Sequence, residues 1–556
     1  MALEPLPPGL VPGLLHASAH PADRTARRGV IEHVQTHLSH VFLTGERVYK
    51  LRKPVDLGFV SFATRAERNA DCVREVHLGR RLSPDVYLGV SPVRLVRSRA
   101  RVGPLLAAPR ASDLAAECEH VVVMRRLADG RDALSLLAAG RLRPEQLDIV
   151  AALVADFHRR HRLGASAHGT RAEWLARSAR PVRDNFVLLG EAAQGRDPIV
   201  PPGLLSRAAE RAERFLRAHG ARFEERRRAR CGVDGHGDLH LQHVFFERDD
   251  APPTLIDCIE FRDDLRQIDA AAEVAFLAMD LRYRGRGDLA ERFLAAYAAA
   301  ADDFGLYGVV DFYLRYRAAV RAKVAAVAAG DHGLSAAQRR AARVSARRHL
   351  ALAARERLTS GRPALILTCG TVGSGKSRVA RAAARRLGGV TIASDVVRKA
   401  SRRKAARGAR YTERAKEDVY RGLLDRAAPV IASGRVAVLD ATFDRAARRE
   451  RVARWAAERG VPVLLLEVRC APELSRQRLA RRAAQGSDPS DAGPEQLAAS
   501  IARFEAPNEW PRAFRVIVRT DRPWHAALHR ALAALRGRRR RGARGRAIAL
   551  RAARVR

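Results

Sequence analysis

The sequence predicts a chain of two domains, an α+β front unit in two lobes followed by an α/β back unit built on a parallel sheet. Three observations predict it. At 556 residues the chain exceeds what one hydrophobic core organises. A breaker, Thr359-Ser-Gly-Arg-Pro363, follows an Arg- and Ala-rich helical stretch and precedes a fresh apolar run at Ala364. Downstream of that breaker strands alternate with helices, whereas upstream the strands come first and the helices later.

In the front unit, residues 1–345, the β-rich segments Val41-Phe-Leu, Arg47-Val-Tyr-Lys-Leu and His120-Val-Val-Val-Met give way to long Ala/Leu/Arg stretches with helical period. Residues 346–362 read as a helical linker. The back unit, residues 363–535, places strands at 364–369, 390–393, 436–439, 461–468 and 516–518, separated by helix-forming segments. Residues 536–556 carry ten Arg and no acid, and are expected to form a disordered basic tail.

Composition narrows the class. A 47% hydrophobic content supplies real cores and excludes a collagen-like or disordered chain. No apolar run reaches the length of a membrane span and the first residues lack a signal-peptide pattern, so a cytoplasmic protein without a membrane partner is expected. Six cysteines without a CxxC pair point to free thiols. The net charge of +41 fits either a nucleic acid or phosphorylated partner or a genomic preference for Arg, since only seven residues are Lys.

The sharpest motif is Gly370-Thr-Val-Gly373-Ser374-Gly375-Lys376-Ser377, a GxxxxGK[ST] loop between an apolar strand and a helix. Glycines let backbone N–H groups converge on phosphate oxygens at a helix N-terminus. Lys376 then neutralises the β and γ phosphates of ATP, and Ser377 is the expected Mg²⁺ ligand. The second strand leads into Asp395, with Arg398 one turn on; either Asp395 takes a proton from an acceptor hydroxyl or it caps the following helix. The third strand ends in Asp440, placed for Mg²⁺ or its water shell, with Thr442 beyond it. Arg478, Arg481 and Arg482 share one helical turn before a polar loop at 485–491, and form either a lid over the transferring phosphate or a solvated face.

These residues resemble the small P-loop kinases, in particular gluconate-kinase-like and polynucleotide-5′-hydroxyl-kinase-like enzymes, over about 170 residues. In the front unit, His236-Gly-Asp238-Leu-His240-Leu-Gln-His243 precedes Leu255-Ile-Asp257-Cys-Ile-Glu260, and two carboxylates nineteen residues apart suit one role at the acceptor and one at the metal. This part resembles the aminoglycoside phosphotransferase group, which has the protein-kinase-like bilobal fold. The resemblance implies Asp238 as catalytic base, Asp257 as metal carboxylate, Lys50 on the ATP phosphates with Glu75 as its ion-pair partner, residues 124–127 as adenine hinge, and Asp269 as the carboxylate bracing the catalytic loop. Two positions depart from the pattern. His243 stands where the group places an Asn metal ligand, and the first hairpin offers Ser39 instead of a glycine-rich phosphate loop.

Along nearly its whole length the chain resembles the bacterial proteins described as bifunctional aminoglycoside phosphotransferase/ATP-binding proteins. The expected function is ATP-dependent phosphoryl transfer to the hydroxyl of a small molecule, with ATP sites in both units. Two alternatives stand beside it: a nucleic acid 5′-hydroxyl kinase or binding protein, and an ATP-sensing protein whose front unit is inert.

Overall fold

Alternating residues in the first third of the chain build one six-stranded antiparallel sheet. The computed structural model describes residues 3–540 apart from 27–28, 57, 59, 360–361, 403–412 and 486–492. Strands β1 (Glu32–Gln35), β2 (Ser39–Leu43), β3 (Arg47–Arg52), β4 (Tyr87–Val96), β5 (Arg99–Val102) and β6 (Glu119–Arg125) lie in the order β1-β2-β3-β6-β4-β5. Between β3 and β4 runs the helix Arg65–Arg80, opened by a capping box in which Thr64 and Glu67 satisfy each other's backbone N–H groups. Its Cys72 and Val76 pack on Val90, Val122 and Met124 of the sheet, which fixes the helical turn that carries Glu75.

Two short antiparallel pairs follow: β7 (Gly232–Asp234) with β10 (Gln267–Asp269), and β8 (Val244–Phe245) with β9 (Thr254–Leu255). The second pair sets a register, because the Ile256 N–H donates to the His243 carbonyl at 3.1 Å. His243 and Asp257 therefore become neighbours although they are far apart in sequence.

The back sheet is parallel throughout, β11 (Ala364–Cys369), β12 (Val390–Ala393), β13 (Val436–Asp440), β14 (Val463–Arg469) and β15 (Arg515–Arg519) in the order β12-β13-β11-β14-β15. Ile366, Val438, Leu466 and Val518 pack against Val379, Ala383 and Leu528 of the helices Lys376–Leu387 and His525–Arg540. Leu365, Leu367 and Leu439, which point the other way, are equally buried, so both faces are covered as a parallel sheet requires. The two domains are thus an α+β unit and a mixed α/β unit of the predicted class.

Contact density and composition cut the chain at different places. One compact unit holds the chain up to Leu153 with Phe157–Ser178 and Arg227–Asp280; the other holds Val154–Asp156, Ala179–Arg226 and the chain from Leu281 on. The reason lies in buried ion pairs within the second unit. Arg435, ahead of β13 and 1% exposed, donates to Glu291 at 2.8 and 3.0 Å and to Asp311 at 2.8 and 3.2 Å, and Arg426 pairs with Asp302. The helix Ala336–Ala354 runs from the expected front unit into the expected linker and is itself packed, with Ala346, Leu350 and Ala353 buried.

Arg435→Met is expected to destabilise this unit by about 3–5 kcal/mol, because the buried Asp311 and Glu291 lose the cation they share, leaving Glu291 with Arg282. The denaturant midpoint checks it, and a shift within error of the wild type would show the network to be dispensable. Other arginines are similarly engaged: Arg448 with Glu413, Glu417 and Asp444, Arg449 with Glu509, and Arg515 with Glu467. Among the described residues no helix is long and apolar enough to cross a membrane. The expected tail lies outside the described residues from 541 onward.

Candidate functional site

Strand periodicity places Lys50 and Arg52 on one face of β3. Lys50 Nζ donates to Glu75 Oε1 at 2.9 Å and to Asp257 Oδ1 at 2.7 Å. Burial alone would push this lysine down, but Asp257 and Glu75 reverse the effect and hold it above the usual lysine range. Burial likewise disfavours the Asp257 anion, yet Lys50 outweighs it and keeps the carboxyl below its ordinary value. Asp257 has φ +64°, a left-handed conformation, and its N–H donates to the Tyr87 hydroxyl at 2.8 Å.

Arg52 gathers Glu75 and two further carboxylates, Asp71 and Glu260. Its guanidinium meets Asp71 at 2.6 Å, Glu75 at 2.5 Å and Glu260, and also donates to Ser39 Oγ at 2.9 Å. Burial and the neighbouring acids push Glu260 up to about 8 despite Arg52. The strand period offered the signal, since Arg52 follows Lys50 by two residues and Glu260 follows Asp257 by one short turn. Ser39, expected to donate to a phosphate, is instead fully buried and turned to Arg52, because β2 points it inward. Met124 and Leu127 of the expected hinge are buried in the cluster around Tyr87 and Val90.

The loop carrying Asp238 is braced by Glu273 of the helix Ala270–Tyr283, which accepts from His236 N–H at 3.1 Å and Gly237 N–H at 3.0 Å. Asp280 accepts from Leu241 N–H at 3.1 Å. Asp269, the expected brace, accepts from Ala271 N–H at the start of the helix, and Glu273, one turn further, faces the loop amides. His236 donates to the Ile256 carbonyl at 2.8 Å, and burial, reinforced by His243, lowers it to about 3, so it is a neutral strut. His243 stands between the two carboxylates, Nδ1 donating to the Asp238 carbonyl at 2.9 Å and Nε2 3.5 Å from Asp257 Oδ2.

In the back unit the loop after β11 turns under close backbone contact. A Cβ at Gly370 would lie 2.3 Å from the Val468 carbonyl, and Gly375, at φ +91°, starts the helix Lys376–Leu387. Gly373 also has positive φ, at +74°. Lys376 Nζ donates to the Thr371 carbonyl at 2.6 Å, and the buried Ser374 hydroxyl has no protein partner. Asp440 ends β13; burial raises its pKa against the pull of Ser377 and Lys376. Asp395 accepts from Arg398 at 2.6 Å in the first turn of the helix Ser394–Arg402. Thr442 shares a hydrogen bond with Tyr420 at 2.9 Å.

The three arginines of the expected lid part company. Arg478 donates to the Thr520 hydroxyl and carbonyl, both at 2.9 Å, and so is tied to the end of β15 beside Gly375. Arg481 is exposed, whereas Arg482 is half-buried and its charge acts on Lys376. The polar loop after them lies outside the described residues over 486–492.

The residues present fit an ATP–Mg²⁺ group in the back unit: Ser377 and Asp440 are oxygen donors, and Ser374 is an orphaned buried hydroxyl at the phosphate loop. In the front unit Asp257 fits Mg²⁺ but the nitrogen of His243 does not.

Burial lowers Lys376 to about 8, against the pull of Asp440. Bound phosphates favour the ammonium, so ATP binding to this loop should take up a proton above pH 8. Affinity should be level below that pH and fall by up to about tenfold per pH unit above it. Calorimetry in buffers of different ionisation enthalpy measures the uptake; none at pH 8.5 would refute the linkage.

Residues 65–313 match the model of the phosphotransferase enzyme family and residues 365–507 that of an AAA domain. The chain is 32% identical over 492 residues to an uncharacterised protein of Mycobacterium tuberculosis, covering 87% of this chain and 91% of that protein, and equally to one of Mycobacterium bovis. Among solved structures, a gluconokinase from Sinorhizobium meliloti is 20% identical, covers 33% of this chain and 96% of its own, with a TM-score of 0.26. With two kinase-type domains in this order and near-complete coverage of its relatives, the chain belongs to the bacterial family that joins an aminoglycoside-phosphotransferase-like domain to a C-terminal P-loop kinase domain.

Proposed function

We propose that the chain is an ATP-dependent phosphotransferase with two nucleotide sites, each passing the γ-phosphate to a hydroxyl of a small molecule. The observation that carries the reading is the simultaneous contact of Lys50 with Glu75 and Asp257, which is the arrangement a phosphotransferase needs to hold triphosphate oxygens against a charged anchor. Asp238, on a loop pinned by Glu273, faces the acceptor and takes its proton. Its carboxylate is oriented by His240, whose Nε2 lies 3.4 Å away. Asp257 and His243 face the phosphates.

In the back unit the amides of residues 370–377 and Lys376 hold the triphosphate, Ser377 and Asp440 are the Mg²⁺ ligands, and Asp395 is the base for the second acceptor. When bound, the divalent ion neutralises charge that develops on the phosphoryl oxygens. Arg398 positions Asp395, and Arg482 adds charge at the cradle. Arg478 supports the loop through Thr520 rather than closing over it.

The test is an ATP-consumption screen of the full chain against sugars, aminoglycosides and 5′-hydroxyl oligonucleotides. The full chain is needed because Arg435 shares its burial with Glu291 and Asp311. Small hydroxyl compounds are expected to stimulate turnover. Stimulation by oligonucleotides alone would transfer the back site to nucleic acid ends, and no acceptor-dependent turnover in any class would overturn the phosphotransferase reading. The many internal pairs of the back-unit arginines weigh against a nucleic acid surface, since paired guanidinium groups are not free to release counterions from phosphates.

A further inference from the structure

We propose that the front unit selects a first-row transition metal ion, from the series Mn²⁺ to Zn²⁺, in preference to Mg²⁺, through His243 Nε2 and Asp257 Oδ2. The proposal rests on the reading of this unit as a nucleotide site and changes the ion that serves it.

The hydrogen bonding of His243 fixes which nitrogen can ligate. Its Nδ1 lies 2.9 Å from the Asp238 carbonyl oxygen, which only accepts, so Nδ1 carries the proton and a neutral ring has its lone pair on Nε2. A ring N–H given to a backbone carbonyl is also the usual support behind a metal-bound histidine. The ring is held in place by His240, with centroids 3.9 Å apart, and by His236 at 5.8 Å.

The lone pair on Nε2 looks towards Asp257 Oδ2 at 3.5 Å, while the other Asp257 oxygen is occupied by Lys50 at 2.7 Å. Two acceptors facing each other at that separation repel unless a cation lies between them. The gap suits two ligands of one ion with bonds of about 2 Å. The register of β8 against β9 holds the pair in this arrangement, through the bond from Ile256 N–H to the His243 carbonyl.

Three groups, Asp238, His240 and His243, have ligand atoms within 4.8 Å of one another, yet His240 is not part of the site. Its Nδ1 accepts from Gln242 N–H at 3.3 Å, so the ring proton sits on Nε2, which donates towards Asp238 Oδ2 instead of ligating. One imidazole and one carboxylate remain. Mg²⁺ demands oxygen donors and binds nitrogen poorly, whereas the first-row divalent ions accept imidazole readily and still take carboxylate and phosphate oxygens. The P-loop site differs, because Ser377 and Asp440 offer only oxygen.

The experiment uses the full chain carrying Lys376→Ala, which weakens the second nucleotide site, with Mn²⁺ as probe. Electron paramagnetic resonance is expected to show imidazole-nitrogen hyperfine coupling on bound Mn²⁺. In the same chain His243→Asn should abolish that coupling and lower the preference for Mn²⁺ over Mg²⁺ about tenfold, and Asp257→Ala should remove Mn²⁺ binding here. Thermal melts confirm that each variant is folded. Bound Mn²⁺ without nitrogen coupling, or a preference unchanged by His243→Asn, would overturn the proposal and leave His243 as a direct ion-pair partner of Asp257. Nitrogen coupling in a chain that binds no ATP would keep the metal site and sink the phosphotransfer reading of the front unit; ATP binding without the coupling would do the reverse.

Discussion

Asp238→Ala and Asp257→Ala are expected to fail in different ways. Both are measured in the full chain carrying Lys376→Ala, so that the second site is weakened. Asp238→Ala should lower front-unit turnover by roughly 10² to 10⁴-fold, the usual cost of losing a positioned general base, while leaving nucleotide affinity nearly unchanged. Its carboxylate touches His240, whereas the loop amides are held by Glu273, so the loop should survive the change. Asp257→Ala should weaken metal-dependent ATP binding itself, because Lys50 loses the acid that shares it with Glu75 and His243 loses its facing oxygen. Calorimetry with and without divalent ion separates the two. Equal loss of affinity in both variants would show that Asp238 holds nucleotide and is not the base.

The second large effect belongs to the back unit. Lys376→Ala should abolish most nucleotide binding there, since the Nζ next to the Thr371 carbonyl is the principal positive charge of the cradle and Asp440 lies within its reach. Asp395→Asn should instead spare binding and lower transfer by roughly 10² to 10⁴-fold. Arg398 complicates the outcome, because its bond to Asp395 is also what a helix-stabilising i,i+3 pair would show. The two roles separate on stability: an Asp395→Asn chain that melts early and keeps its turnover per folded molecule identifies a merely structural carboxylate.

The parallel sheet and its phosphate loop were legible because both are local. A continuous apolar run such as Ala364–Cys369 is buried on both faces, and the first glycine after it is required because a Cβ at Gly370 would lie 2.3 Å from the Val468 carbonyl oxygen. The pairing of Lys50 with Glu75 was expected from the resemblance, and the rarity of lysine, seven in the chain, made the strand lysine stand out. The position of Asp257 within reach of Lys50 came through resemblance and is visible as a distance only in the fold.

By itself the sequence determined the strands of the back sheet and the chemistry of the P-loop, and it offered carboxylates, imidazoles and cations for a phosphate site. What only the tertiary structure decided is which of them face one another. Glu273 reaches the loop amides, Ser39 turns inward to Arg52, Arg478 is tied down by Thr520, and Arg435 draws Glu291 and Asp311 into one compact unit with the back sheet. The physical reason is common to all four. Periodicity and turn chemistry act over a few residues, whereas a buried charge is satisfied by whatever opposite charge the packing brings within about 3 Å, at any separation along the chain.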